Sequence, residues 1–105
     1  MPFGDNNWLA LTQEAALEPD IPICDPHHHF WDFRTARIPY QRYLLHELAD
    51  DLNSGHNVRS TVFIEARSMY RRDGPEELRP VGEVEFVQGL AAASANGLYG
   101  PSQAA

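Results

Sequence analysis

The sequence predicts a parallel α/β fold, and three observations predict it. Two short segments of strand type, 21–25 and 60–66, are separated by a stretch of helical periodicity. The centre of the second, Val62-Phe63-Ile64, is apolar at successive positions, the pattern of a strand covered on both faces. A further helical stretch follows it. Strand, helix and strand at this spacing form a βαβ crossover, expected to be right-handed with parallel strands.

Taken in order, residues 7–18 read as a helix, with Asn7 as cap, Trp8, Leu11 and Ala15 on one face, and Pro19 as the stop. The first strand follows at 21–25, and Pro26, which has no backbone donor, is expected to end its ladder. Residues 30–43 are rich in aromatics and arginine without periodicity, and read as a long loop of the kind that often carries function. Helical spacing returns at 44–53, with Leu45, Leu48 and Leu52 on one stripe and Gly55 beyond its end. After the second strand, Asp73-Gly74-Pro75 marks a loop. Pro75 suits the start of a helical turn, which Pro80 interrupts, and a last helix runs from 82 to about 96. The chain thus divides into an N-terminal helical arm, 1–20, and two βα units, 21–105. Two parallel strands alone do not make a stable sheet, so the segment is expected to belong to something larger.

Composition narrows the function. Of 105 residues, 15 are acidic and 8 basic, a formal net charge of −7, and every basic residue is arginine. A chain with no basic cluster is poorly suited to nucleic acid, whose binding depends on phosphate neutralisation. No apolar run approaches the ~20 residues of a membrane span. The N-terminus lacks the basic start and apolar core of a secretory signal, so the expected compartment is the cytoplasm. The lone Cys24 excludes an intrachain disulfide, and on strand parity it is expected to face the covering helices as a buried, inert thiol.

The chemistry concentrates in Asp25-Pro26-His27-His28-His29-Phe30-Trp31-Asp32. Strand alternation sets Asp25, His27 and His29 on one face and His28 on the other. Imidazoles two residues apart can converge on one metal ion, and a carboxylate one step away could orient a ligating ring. Solvated loop histidines are the bland alternative, and two histidines fall short of the three or four ligands that zinc requires. In parallel α/β folds, ligands bind at the carboxyl ends of the strands. His27 and His29 sit there after the first strand, and Glu65 at the end of the second. Arg67 and Arg71, on the loop beyond, could grip a substrate carboxylate with their planar forks, and Trp31 could wall a pocket. An exposed carboxylate paired with Arg67, solvated arginines and ordinary aromatic packing are the competing readings.

These residues carry a resemblance. Residues 21–32, with Asp25, His27, His29 and Trp31 in the pattern Asp-x-His-x-His-x-Trp, resemble the first strand of the amidohydrolase-related TIM-barrel hydrolases, in the branch of metal-dependent lactone hydrolases. Residues 62–71, with Asp73-Gly74-Pro75 and Arg79-Pro80-Val81-Gly82-Glu83, are similar to the second βα unit of that branch. The resemblance covers nearly all of the chain after residue 7. It implies the N-terminal part of a (β/α)8 barrel, which needs ~250 residues. It implies His27 and His29 as the first two ligands of a divalent metal, zinc by expectation, although some relatives work without a tightly bound metal. A further histidine and an aspartate are expected from later strands, outside these residues.

The implied activity is hydrolysis of a lactone on a small polar or carboxylated substrate, with Asp25 and Glu65 as catalytic carboxylates and Trp31, Arg67 and Arg71 as substrate contacts. This chain supplies only the first part of that site and is expected to be inactive alone. A decarboxylase of the same superfamily is the second enzymatic expectation. The contrasting expectation is a non-catalytic metal-binding module whose exposed edge is covered by self-association as a homo-oligomer.

Overall fold

Two parallel strands, β1 (Pro22–His28) and β2 (Asn57–Phe63), lie side by side. They are joined through a helix, α2 (Leu45–Leu52), in a computed structural model that describes residues 6–33 and 40–104. A short helix, α1 (Asn6–Ala10), precedes them. A single 3-10 turn (Glu76–Leu78) and α3 (Val81–Ala95) follow. The βαβ order read from the sequence is therefore present, with parallel strands.

The helices form where an apolar stripe meets the sheet. Leu45, Leu48, Ala49 and Leu52 of α2 are buried, and the Glu47 side chain reaches back to accept the Leu44 amide at 3.0 Å, which satisfies one of the free donors at the helix start. With Phe30, Val87 of α3 and Ala104, the three leucines form the core, and Phe63, Val58, Leu90 and Phe86 pack against it. Gly82 lets α3 approach the loop after β2: a Cβ there would lie 2.4 Å from the Met69 carbonyl oxygen and 2.6 Å from the Arg71 nitrogen.

Several expectations change. The helix read at 7–18 shrinks to Asn6–Ala10, because its apolar residues have little to pack against and Trp8, Leu9, Leu11 and Leu17 stay exposed. The second strand lies three residues earlier than expected. Of the loop at 30–43, residues 34–39 lie outside the described residues, and a Trp31–Tyr43 backbone bridge closes its base.

The first strand does not stop at Pro26. Asp25 pairs with Thr61 and His28 with Phe63, so Pro26 and His27 stand opposite Val62 alone. That is a β-bulge, which absorbs a residue unable to donate to the ladder. A second irregularity falls between Ile23 and Cys24, where β2 carries the extra residue. The bulge at Pro26 inverts the parity expected for everything before it. Asp25 shares the row of Thr61, which is buried beneath the helices. Cys24 is exposed rather than buried.

Among the described residues, the helices cover one face of the sheet. His28, Phe30, Thr61 and Phe63 lie on the helix side, whereas Val62 is 45% exposed and Ile64 36%. The continuous apolar run had predicted burial on both faces. The helical packing falls on one layer, and among the described residues no helix packs on the opposite face. A third segment begins to extend the sheet: Gln103 bridges Ser60 in parallel, its amide donating to the Arg59 carbonyl at 2.9 Å and its carbonyl accepting from Thr61 at 3.0 Å.

Candidate functional site

The open face and the carboxyl ends of the strands meet at His27 and His29. Their rings stand edge to face, with Nε2 atoms 3.1 Å apart. His29 Nδ1 lies 2.8 Å from the Ile64 carbonyl oxygen. A carbonyl can only accept, so Nδ1 carries the proton and the Nε2 lone pair of neutral His29 points at His27. A backbone carbonyl on the remaining ring nitrogen is a common way of orienting a metal-ligating imidazole. The orienting acceptor is thus a backbone carbonyl of the neighbouring strand. Asp25, expected in that role, instead accepts the His27 backbone amide through Oδ1 at 3.1 Å.

The Nε2 separation is short enough for both rings to reach one divalent ion. Two bonds of about 2.0–2.1 Å across this separation subtend roughly 100° at the metal, within the range of tetrahedral zinc. Among the described residues, no group of three or more His, Cys, Asp or Glu side chains is placed to hold a metal ion. The two imidazoles alone could supply at most two of the three or four ligands that a zinc ion requires.

The other candidates separate from this pair. Glu65 accepts the Tyr70 hydroxyl at 2.9 Å, which raises the Tyr70 pKa above its ordinary value. It lines a cleft of about 380 Å³ on the α3 side with Phe63, Glu83 and Val87. Arg71 is tied to Glu85 of α3 at 2.7 Å. Arg67 is exposed in a left-handed backbone conformation, with φ of 55°. Trp31 donates its indole N–H to the Tyr40 carbonyl at 2.8 Å and stacks on Tyr43, so it closes the loop base.

Two buried residues without an assigned role stand out beside the site, one that fastens it and one that costs stability. Glu83, on the first turn of α3, is only 5% exposed and accepts the Ala66 and Ser68 amides at 3.0 and 2.8 Å. Ser68 in turn donates its hydroxyl to the Phe30 carbonyl at 2.5 Å. The loop after β2 is thereby fastened to both α3 and the end of β1. In sequence Glu83 is an ordinary first-turn acid, favourable to the helix dipole, and nothing in its spacing announces partners fifteen and seventeen residues earlier.

His28 is the second. It is 7% exposed, sits edge-on to Phe30 and Phe63, and neither ring nitrogen has a well-formed hydrogen bond. Burial lowers its pKa below 6.5, against the opposing charge of Asp25 and a weak backbone interaction with Val62. The folded chain therefore resists protonation there while the unfolded chain accepts it near pH 6.5. Stability should fall as pH drops through 6.5 and level off below the depressed folded value. His28→Phe should remove this dependence and stabilise the fold by about 1–2 kcal/mol, since it replaces a buried, unsatisfied polar ring. Urea titrations at pH 7.5 and 5 check both effects, and an unchanged pH slope in the variant would refute the assignment.

Comparison with family models, with curated proteins and with solved structures finds no match to this chain. Among the described residues, no helix is long and apolar enough to cross a membrane.

Proposed function

We propose that the chain contributes the first two metal ligands, His27 and His29, of an amidohydrolase-type hydrolase that opens lactones of small polar or carboxylated substrates in the cytoplasm. The observation that carries this reading is the convergence of the two Nε2 atoms at 3.1 Å, with His29 oriented by the Ile64 carbonyl. The position agrees with it, because the pair stands at the carboxyl ends of parallel strands, where α/β barrels build their sites. The strand order does too: Gln103 follows β2 at the edge away from β1, as the start of a third parallel strand in sequence order.

A divalent ion, zinc in this reading, supplies Lewis acidity for the lactone carbonyl. His27 and His29 would hold it, and the Ile64 carbonyl keeps the His29 proton on Nδ1. Glu65 is the carboxylate at the rim, and its bond from Tyr70 holds it there. Arg67 is exposed at the same end and suited to a substrate carboxylate. Because α3 anchors Arg71 through Glu85, Arg67 is the stronger candidate of the two.

Zinc titration of the chain against His27→Ala/His29→Ala tests the ligand assignment. Binding should weaken at least a hundredfold in the double variant, with its circular dichroism unchanged, and equal affinity would refute the assignment. In protein carrying this segment with a complete ligand set, acid release from carboxylated lactones should fall to background in the same variant. Undiminished turnover there would refute the reaction class.

A further inference from the structure

We propose that Glu83 is a positioning residue for the rim of the site: its carboxylate fills a cradle of backbone amides in the loop after β2 and so holds Arg67 in a left-handed conformation. The inference rests on the reading of Arg67 as the contact to a substrate carboxylate, and adds what keeps that contact in place.

The loop is bent against its own preference. Arg67 and Met69 have φ of 55° and 57°. The left-handed region crowds the Cβ of an L-residue, and neither arginine nor methionine has the short polar side chain that eases this for asparagine or aspartate. Such residues persist only where the surroundings over-determine them. Here the Ala66 and Ser68 amides, on either side of Arg67, converge on one oxygen, Glu83 Oε2, at 3.0 and 2.8 Å. Amides that converge around a left-handed residue form a concave nest suited to an anion. Glu83, only 5% exposed, is the anion that the chain itself supplies. The Ser68 hydroxyl on the Phe30 carbonyl and the Arg71 amide on the Arg79 carbonyl, at 2.8 Å, close the loop on both sides. Gly82 lets the α3 backbone come close enough for Glu83 to reach in.

The strained residues stand among the groups assigned to the rim. Glu65 precedes the cradle, and Tyr70 follows it and donates its hydroxyl to Glu65 at 2.9 Å. That hydrogen bond raises the Tyr70 pKa and the charge of Arg67 opposes the rise, so the guanidinium is within electrostatic reach of the pair. The clamp fixes the backbone from which Arg67 projects. A substrate carboxylate then meets a preorganised partner, and less ordering entropy is lost on binding.

Nuclear magnetic resonance of the 105-residue chain tests the proposal. A positive φ brings a residue's amide and α protons together and gives a strong NOE between them. That signal is expected at Arg67 and Met69 in the unaltered chain and in Glu83→Gln, which keeps an acceptor oxygen. In Glu83→Ala it should vanish at Arg67 while the α2 amides stay protected. The group that Glu83→Ala removes is equivalent to acetate, so added acetate should refill the cradle, restore the Arg67 signal and slow proteolysis of the loop. Chloride at equal ionic strength should do neither. Arg67→Gly, which takes the same φ without strain, should raise the folding equilibrium constant about threefold or more, whether or not Glu83→Ala folds. An Arg67 signal that persists in Glu83→Ala overturns the proposal. Acetate acting no better than chloride, or Arg67→Gly no more stable than the unaltered chain, overturns it as well. None of these readouts involves zinc. A chain that passes them, yet binds zinc equally well as His27→Ala/His29→Ala, keeps the clamp and loses the metal-ligand reading.

Discussion

Replacing Phe30 with alanine is expected to cost about 3–5 kcal/mol, the range for truncating a fully enclosed aromatic ring. Phe30 has no exposed surface and is the largest side chain enclosed in this way. It stacks on Phe63 at 5.9 Å and meets His28 edge-on at 4.9 Å. It also packs with Leu45, Leu48 and Leu52 of α2 and Val87 of α3, so one ring joins both helices to both strands. A loss of that size is comparable with the entire stability of a small domain, ~5–15 kcal/mol. Because Phe30 directly follows His29, the histidine pair should lose its geometry with it. The urea midpoint and the zinc affinity should therefore fall together. Leu17→Ala serves as control: Leu17 is 94% exposed, and its truncation should stay within about 0.5 kcal/mol. A Phe30→Ala cost below about 1 kcal/mol would show that the core is not centred on this ring.

Glu83→Ala is expected to destabilise by about 3 kcal/mol. The substitution removes the acceptor of two backbone donors, the amides of Ala66 and Ser68, at a residue only 5% exposed. Glu83→Gln keeps a carbonyl oxygen within reach of both amides but loses the charge, and should cost about 1 kcal/mol. The pair of variants separates lost charge from lost hydrogen bonding. Since the latch runs from α3 through Ser68 to the Phe30 carbonyl, Glu83→Ala should also expose the loop after β2 to proteolysis while α2 keeps its amide protection. Equal, small effects from both variants would mean that the loop is held by other contacts, with the Gly82 approach the first to examine.

The elements carried by packing periodicity were legible before the fold was known. The leucine stripe of α2 and the extent of α3 follow from residues that must face the sheet, and both lie within one residue of expectation. The parallel strand pair was legible from order and spacing for the same reason. What escaped was set by contacts distant in sequence. The N-terminal arm has helical spacing, but its apolar side chains find little surface to bury, and isolated helices of that length are marginal in water. Pro26 was read as a strand end, whereas pairing with β2 on both sides of it makes a bulge cheaper than termination.

That bulge had the largest effect on the site. Alternation correctly joined His27 to His29 and put His28 on the other face, because no irregularity falls among the three. The same rule placed Asp25 with the pair and Cys24 beneath the helices, and one inserted residue reversed both. The orienting carbonyl of Ile64 was not legible at all, since every residue has one and only strand pairing aims it.

The sequence by itself determined the chemical inventory: paired imidazoles at a strand end, a carboxylate at the next, no basic patch, and a βαβ order. Those features depend on side-chain identity and local period, which the chain carries wherever it folds. Tertiary structure alone decided which groups meet. It gave the Asp25 carboxylate to the His27 backbone amide instead of an imidazole, fixed the His29 tautomer through Ile64, buried Glu83 under the loop it holds, and left Val62 and Ile64 in the open. The physical reason is that register and backbone hydrogen bonding between strands are long-range properties. A single residue of slip exchanges one face of a sheet for the other.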